Sequence, residues 1–149
     1  MQFISPHITY AEAVHTSKGL PNVPNAGQIE AMQLVAEMVF EKLRNYIDES
    51  ILIDSFFRSP AVNDAVGGAN TSQHCKGEAI DMKAPNTGGY TNADLFHYIR
   101  EKLTFDQLIW EHGDSRNPSW VHVSYSATHN RNQVLKAVAT GTKTKYISM

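Results

Sequence analysis

The stretch FDQLIWEHGDSRNPSWVHVSYS, residues 105 to 126, decides the fold class. Two β-rich runs, FDQLIWE and WVHVSYS, flank the polar, turn-rich loop HGDSRNP, a pattern that predicts an antiparallel hairpin. Outward from it, GEAIDMKA at 77 to 84 reads as another strand, and TNADLFHYIREKL at 91 to 103 as an amphipathic helix capped by Thr91 with Asp94 three on. ILIDSFF at 51 to 57 is a strand ending at Arg58, after which Ser59 and Pro60 suit an N-cap and a first helical position. NAGQ at 25 to 28 is a capping box before Ile29, Met32, Val35, Met38, Val39, Leu43, Tyr46 and Ile47, one face of a long helix. TYAE at 9 to 12 opens a shorter helix that stops near Gly19 and Pro21. The tail GTKTKYISM is expected to be an edge strand or a frayed end. Helices first and a mostly antiparallel sheet after predict an α+β fold with helices packed on one side.

No repeat, linker or low-complexity tract divides the chain, so residues 1–149 are expected to form a single domain. At 42% hydrophobic and 19% charged, such a domain holds a core that needs no staples. Lys plus Arg number 13 against 15 Asp plus Glu, a formal net charge of -2, which gives no electrostatic case for nucleic acid or an anionic membrane. No apolar run has the length of a bilayer span, and MQFISPHITYAEAV lacks the basic start and apolar centre of a signal peptide. The single cysteine, Cys75, excludes an internal disulfide framework.

The chemistry is concentrated in TSQHCKGEAIDM, residues 71 to 82, where His74, Cys75, Glu78 and Asp81 crowd between a glycine-rich segment and a short apolar run. A solvated loop explains such a cluster; so does a metal site, because an imidazole and a carboxylate suit a borderline ion such as zinc. A catalytic site needs a third protein ligand. His122 is the candidate: strand alternation turns Trp120, His122 and Ser124 to one face and Val121 and Val123 to the other. Gly67 and Gly68 suit a loop folded tightly over a site. Each residue also has a plainer reading: His122 as a packed strand histidine, Arg58 as a surface charge, Cys75 as a small filler, and Trp110 and Trp120 as core or cleft wall.

Ser72, His74, Gly77, Ala79 and Asp81, spaced S-x-H-x-x-G-x-A-x-D, together with WVHVS at 120 to 124, resemble the zinc D-Ala-D-Ala carboxypeptidases of the peptidase M15 group. Several phage endolysins and the amino-terminal signalling domain of hedgehog proteins resemble the same fold. The likeness extends to FRSPAVNDAVGGANTSQH and FDQLIWE and covers roughly residues 9 to 125, leaving 126 to 149 as a C-terminal strand or tail. It implies a hedgehog-like sheet and a zinc ion held by His74, Asp81 and His122. It implies that Arg58 lies near the substrate to bind a carboxylate or an oxyanion, and that Ser72 offers a hydroxyl to the substrate backbone or the metal shell.

The family also uses a carboxylate as proton shuttle, in many members three residues before the final histidine; here that position is Ser119. Glu111, at the end of the partner strand, is the expected replacement, with His112 and Asp114 as substitutes. Its plainer role is to orient a ligand's second nitrogen. The implied activity is hydrolysis of peptide bonds in the peptidoglycan stem, by a carboxypeptidase or an endopeptidase. The stem peptide is the expected partner, with neither nucleic acid nor membrane insertion. The absence of a signal peptide implies a chain that is cytoplasmic as synthesised and acts on the wall after release or on a virion, in a phage or prophage setting. The missing acid at Ser119 keeps a second reading open, a non-catalytic zinc module serving a structural or wall-binding part.

Overall fold

The computed structural model describes residues 1–149. A small antiparallel pair, β1 (Phe3–Ser5) and β2 (Ile8–Thr9), leads into α1 (Tyr10–Ala13). The long helical rod follows as α2 (Ala26–Val35), a π-helical turn (Ala36–Phe40) and α3 (Glu41–Ile47). Then come β3 (Leu52–Ser55), α4 (Pro60–Ala65), a 3-10 turn (Gln73–Lys76), β4 (Ala79–Lys83), α5 (Asn92–Lys102), β5 (Gln107–Glu111), β6 (Trp120–Ser124), β7 (Gln133–Thr140) and β8 (Lys143–Ser148).

The helix starts follow local chemistry. Thr9, Asn25 and Thr91 each accept a hydrogen bond from the backbone N–H three residues on, and each cap's own N–H donates to the side-chain oxygen of Glu12, Gln28 or Asp94. Each such cap is worth about 1 kcal/mol. Ser59 caps α4 with Pro60 in the first turn, where a missing N–H costs nothing. The rod ends at Asp48, whose φ of 50° breaks the helical run.

Six strands form one sheet in the order β3-β4-β6-β5-β7-β8. All pairs are antiparallel except β5 with β7, so the sheet is mostly antiparallel, as expected, with one parallel pair. The 105–126 hairpin is present as β5 and β6, with Ile109 opposite His122 and Glu111 opposite Trp120. The tail is an edge strand, β8, and before it lies β7, which the sequence pattern did not reveal.

Strand alternation divides the sheet into two faces. Ile80, Met82, Leu108, Trp110, Val121 and Val123 point to one side and join Met32, Val35, Leu43, Phe96 and Ile99 of the helices in a single apolar core. The opposite face carries Asp81, His122, Glu111 and Ile109, and no long helix of the core covers it. The core therefore fixes the sheet from behind and leaves its front open for chemistry.

Candidate metal centre and cleft

His74 owes its position to a tight turn. Ser72 caps the 3-10 turn by accepting from the His74 N–H at 3.2 Å, and Gly77 closes it at φ 74°. A Cβ on Gly77 would lie 2.5 Å from the Gln28 carbonyl oxygen, so this turn seats against α2 only with glycine there. Gly68 lies close under the Asn63 side chain on the approaching loop, where a Cβ would overlap Asn63 Oδ1. Asp81 and His122 come from neighbouring strands as direct cross-strand partners.

The turn and the strands bring the three residues together, with one donor atom from each lying within 4.8 Å of the others. His74 is buried, and its Nδ1 lies 2.7 Å from the Phe56 carbonyl oxygen. A carbonyl only accepts, so Nδ1 carries the proton and Nε2 presents a lone pair. That Nε2 is buried without a hydrogen-bond donor, and 3.2 Å away stands Asp81 Oδ2. Two electron-rich atoms facing each other in a buried place call for a cation between them. His122 Nδ1 lies 3.0 Å from the other oxygen, Asp81 Oδ1. Burial opposes ionisation of Asp81, but positive charge at the His74 and His122 positions, carried by protons on the imidazoles or by a cation in their place, outweighs it and holds the carboxyl well below the usual carboxylate range. Two imidazoles and an ionised carboxylate are a donor set that fits zinc.

Arg58 is fixed by all three guanidinium nitrogens: Nε to Ser55 Oγ at 3.0 Å, Nη1 to Asn63 Oδ1 at 3.4 Å and Nη2 to Asp81 Oδ2 at 3.2 Å. It thus braces the Asp81 carboxylate as well as lining the cleft. Ser72 lines the cleft too, with its oxygen engaged in the cap below His74.

Glu111 ends β5 one row from His122 on the same face, diagonal to it across the hairpin. Its carboxyl is buried, and that burial pushes its pKa up to about 7, with His122 and Arg58 pulling it down and Asp81 adding to the rise. Ser119 donates its backbone N–H to the Glu111 carbonyl at 2.8 Å, so the two positions are neighbours across the turn. His112 lines the cleft beside Trp120, their rings 5.5 Å apart. Asp114 is turned to other work: its Oδ1 accepts from the backbone N–H groups of Arg116 and Asn117 and shapes the loop. Cys75 is half-buried, burial raises its thiol pKa, and its sulfur is not among the donor atoms that gather at His74, Asp81 and His122.

The cleft in front of these residues has a volume of about 920 Å³ and runs from Gly68 and Thr71 past the His74, Asp81 and His122 cluster to Arg131 and Tyr146. A smaller hollow of about 350 Å³, bounded by His15, Ser17 and Lys83, continues on the other side and shares Arg58, Asp81 and Trp120. A family model described as Peptidase M15 matches residues 6–124. The chain belongs to the peptidase M15 family. None of the curated proteins matches it. The matched segment of this M15 metallopeptidase contains His74, Asp81, His122, Arg58, Ser72 and Glu111, and ends at the last residue of β6. β7 and β8 lie beyond it. Two cleft features had no signal in the sequence: the Arg58–Asp81 contact, 23 residues apart, and the far wall that β7 and β8 supply.

Proposed function

We propose that this M15 peptidase is zinc-dependent and hydrolyses peptide bonds in the peptidoglycan stem, with His74, Asp81 and His122 as the metal ligands. The observation that carries the reading is the buried, donorless His74 Nε2 facing Asp81 Oδ2, with His122 beside them and an open cleft in front. When bound, zinc supplies a Lewis acid for the scissile carbonyl and lowers the pKa of a water molecule. Glu111 takes the proton from the attacking water on a carboxylate oxygen and hands it to the leaving amine; its buried carboxyl, with a pKa near neutrality, suits both transfers. Arg58 keeps Asp81 aligned and sets a positive charge where the oxyanion develops. Ser72 holds the His74 turn through its cap.

Space on both sides of the metal centre supports an endopeptidase over a carboxypeptidase, because each side of the scissile bond then has room. The stem substrate rests on the resemblance of the two motifs to wall-acting members of the family, and the phage or prophage setting rests on the same likeness. Mass spectrometry of muropeptides incubated with zinc-loaded protein tests the reading. Separation of stem or cross-link fragments is expected; loss of a single terminal D-Ala makes the protein a carboxypeptidase, and no change at full zinc occupancy favours the non-catalytic module.

A further inference from the structure

One lateral row of the sheet's open face reads Trp120, Glu111, Ala137, Tyr146, each residue the direct cross-strand partner of the next. Partners on adjacent strands point to the same side, so Tyr146 and Glu111 face the cleft together with only the Ala137 methyl between them. Two strand spacings separate their backbones by roughly 10 Å, a gap that two side chains leaning inward largely close. Ala137 has no exposed surface although it lies on the open face, and it packs with Ile109 and Leu135 as the apolar floor of the cleft. Tyr146 is 53% exposed and lines the cleft. Burial of part of the ring raises its phenol pKa, and the charges of Glu111 and Asp81 add to the rise. The phenol therefore stays protonated at neutral pH, available as a donor. Trp120 closes the other end of the row, so aromatic walls bracket Glu111 on both sides.

We propose that Tyr146, on the edge strand beyond the matched family segment, is a substrate-contact residue whose ring walls the cleft and whose hydroxyl donates a hydrogen bond to a backbone carbonyl of the bound peptide beside Glu111. The inference rests on the reading of this cleft as the place where a stem peptide is held. It assigns to the β7–β8 hairpin a part in recognition. Lys145 provides the internal control, because it is exposed on the same strand and points to the other face.

The test compares wild type, Tyr146→Phe, Tyr146→Ala and Lys145→Ala, all zinc-loaded, for kcat and KM on a stem peptide, with zinc content and thermal unfolding measured on each. Affinity for the same peptide is measured separately by calorimetry in a Glu111→Gln background. Loss of one hydrogen bond in Tyr146→Phe is expected to lower kcat/KM and affinity about 3- to 10-fold, and loss of the ring in Tyr146→Ala by about 10-fold or more. Lys145→Ala is expected to match wild type, and zinc content to be equal in all four. Wild-type kcat/KM and affinity in both Tyr146 variants overturn the inference while leaving the peptidase reading intact. A wild type that binds the peptide through Tyr146 without cleaving it overturns the peptidase reading and keeps this one. Absence of any peptide binding overturns the inference.

Discussion

Asp106 ties the end of the sheet to the turn that carries His74, and Asp106→Asn measures how much that tie contributes. Its carboxylate accepts from Arg131 Nε and Nη2, both at 2.9 Å, from the Arg131 backbone N–H at 3.0 Å, and from Gln73 Nε2 at 3.0 Å. Gln73 precedes His74, and Arg131 leads into β7. The Arg131 hydrogen bonds dominate over burial and hold the Asp106 pKa at about 2, against 3.8 for an unperturbed carboxyl. Holding the carboxyl that far below its ordinary value is equivalent to about 2.4 kcal/mol at neutral pH. Arg131 is half-exposed, and solvent screening reduces the expected contribution to about 1–2 kcal/mol. For a chain of this length the variant should unfold about 2–8 °C lower. Because the folded pKa is the lower one, the unfolded chain binds more protons in this range. The stabilisation is therefore complete above about pH 5 and fades as pH falls through 3.8 toward 2. Urea unfolding of wild type and Asp106→Asn across that range should show a stability gap that closes on acidification. A gap of the same size at both ends would refute the electrostatic account.

Glu111→Gln keeps the shape of the side chain but cannot accept a proton, so zinc should still bind while turnover falls by about two to four orders of magnitude. A 10- to 100-fold weaker zinc affinity, with activity restored by excess metal, would instead make Glu111 a residue that orients a ligand, about the scale of such indirect effects. Arg58→Ala should retain one zinc per chain in a competition assay and lose about 100-fold or more in turnover, since its guanidinium braces Asp81 and charges the cleft; unchanged kcat/KM would reduce it to a structural tie. Gly77→Ala, forced to φ 74° with its Cβ against the Gln28 carbonyl, should destabilise the protein by about 1–3 kcal/mol in denaturant unfolding; a wild-type midpoint would mean that the turn has room to shift.

What the sequence displayed was local. The three capping boxes and the hairpin loop are patterns a few residues long, and they appear in the structure where the pattern lay. His74 and Asp81 sit in one short motif, so their proximity was legible; His122 joins them only because β4 and β6 pair in register. The hidden features are non-local. β7 pairs in parallel with β5 after β6 intervenes in the chain, and QVLKAVAT carries alternation too weak to announce it. The π-helical turn at Ala36–Phe40 lies inside a continuous apolar period that does not distinguish it from α-helix. Asp114 looked like a substitute base by proximity in the chain, yet the turn needs its carboxylate for two backbone N–H groups. The Tyr146–Ala137–Glu111 row depends on the registers of two strand pairs at once, which residue spacing alone does not encode.

The central claim is that His74, Asp81 and His122 form one metal centre, and metal content tests it most directly. Purified wild-type protein and His122→Ala, each dialysed against zinc and then freed of excess, are assayed for bound metal by elemental mass spectrometry, with circular dichroism to confirm folding. One zinc per chain in the wild type and near-complete loss in the folded variant are expected, because removal of one of three ligands leaves too few to hold the ion. Stoichiometric zinc retained by His122→Ala, or none in the wild type, would contradict the account.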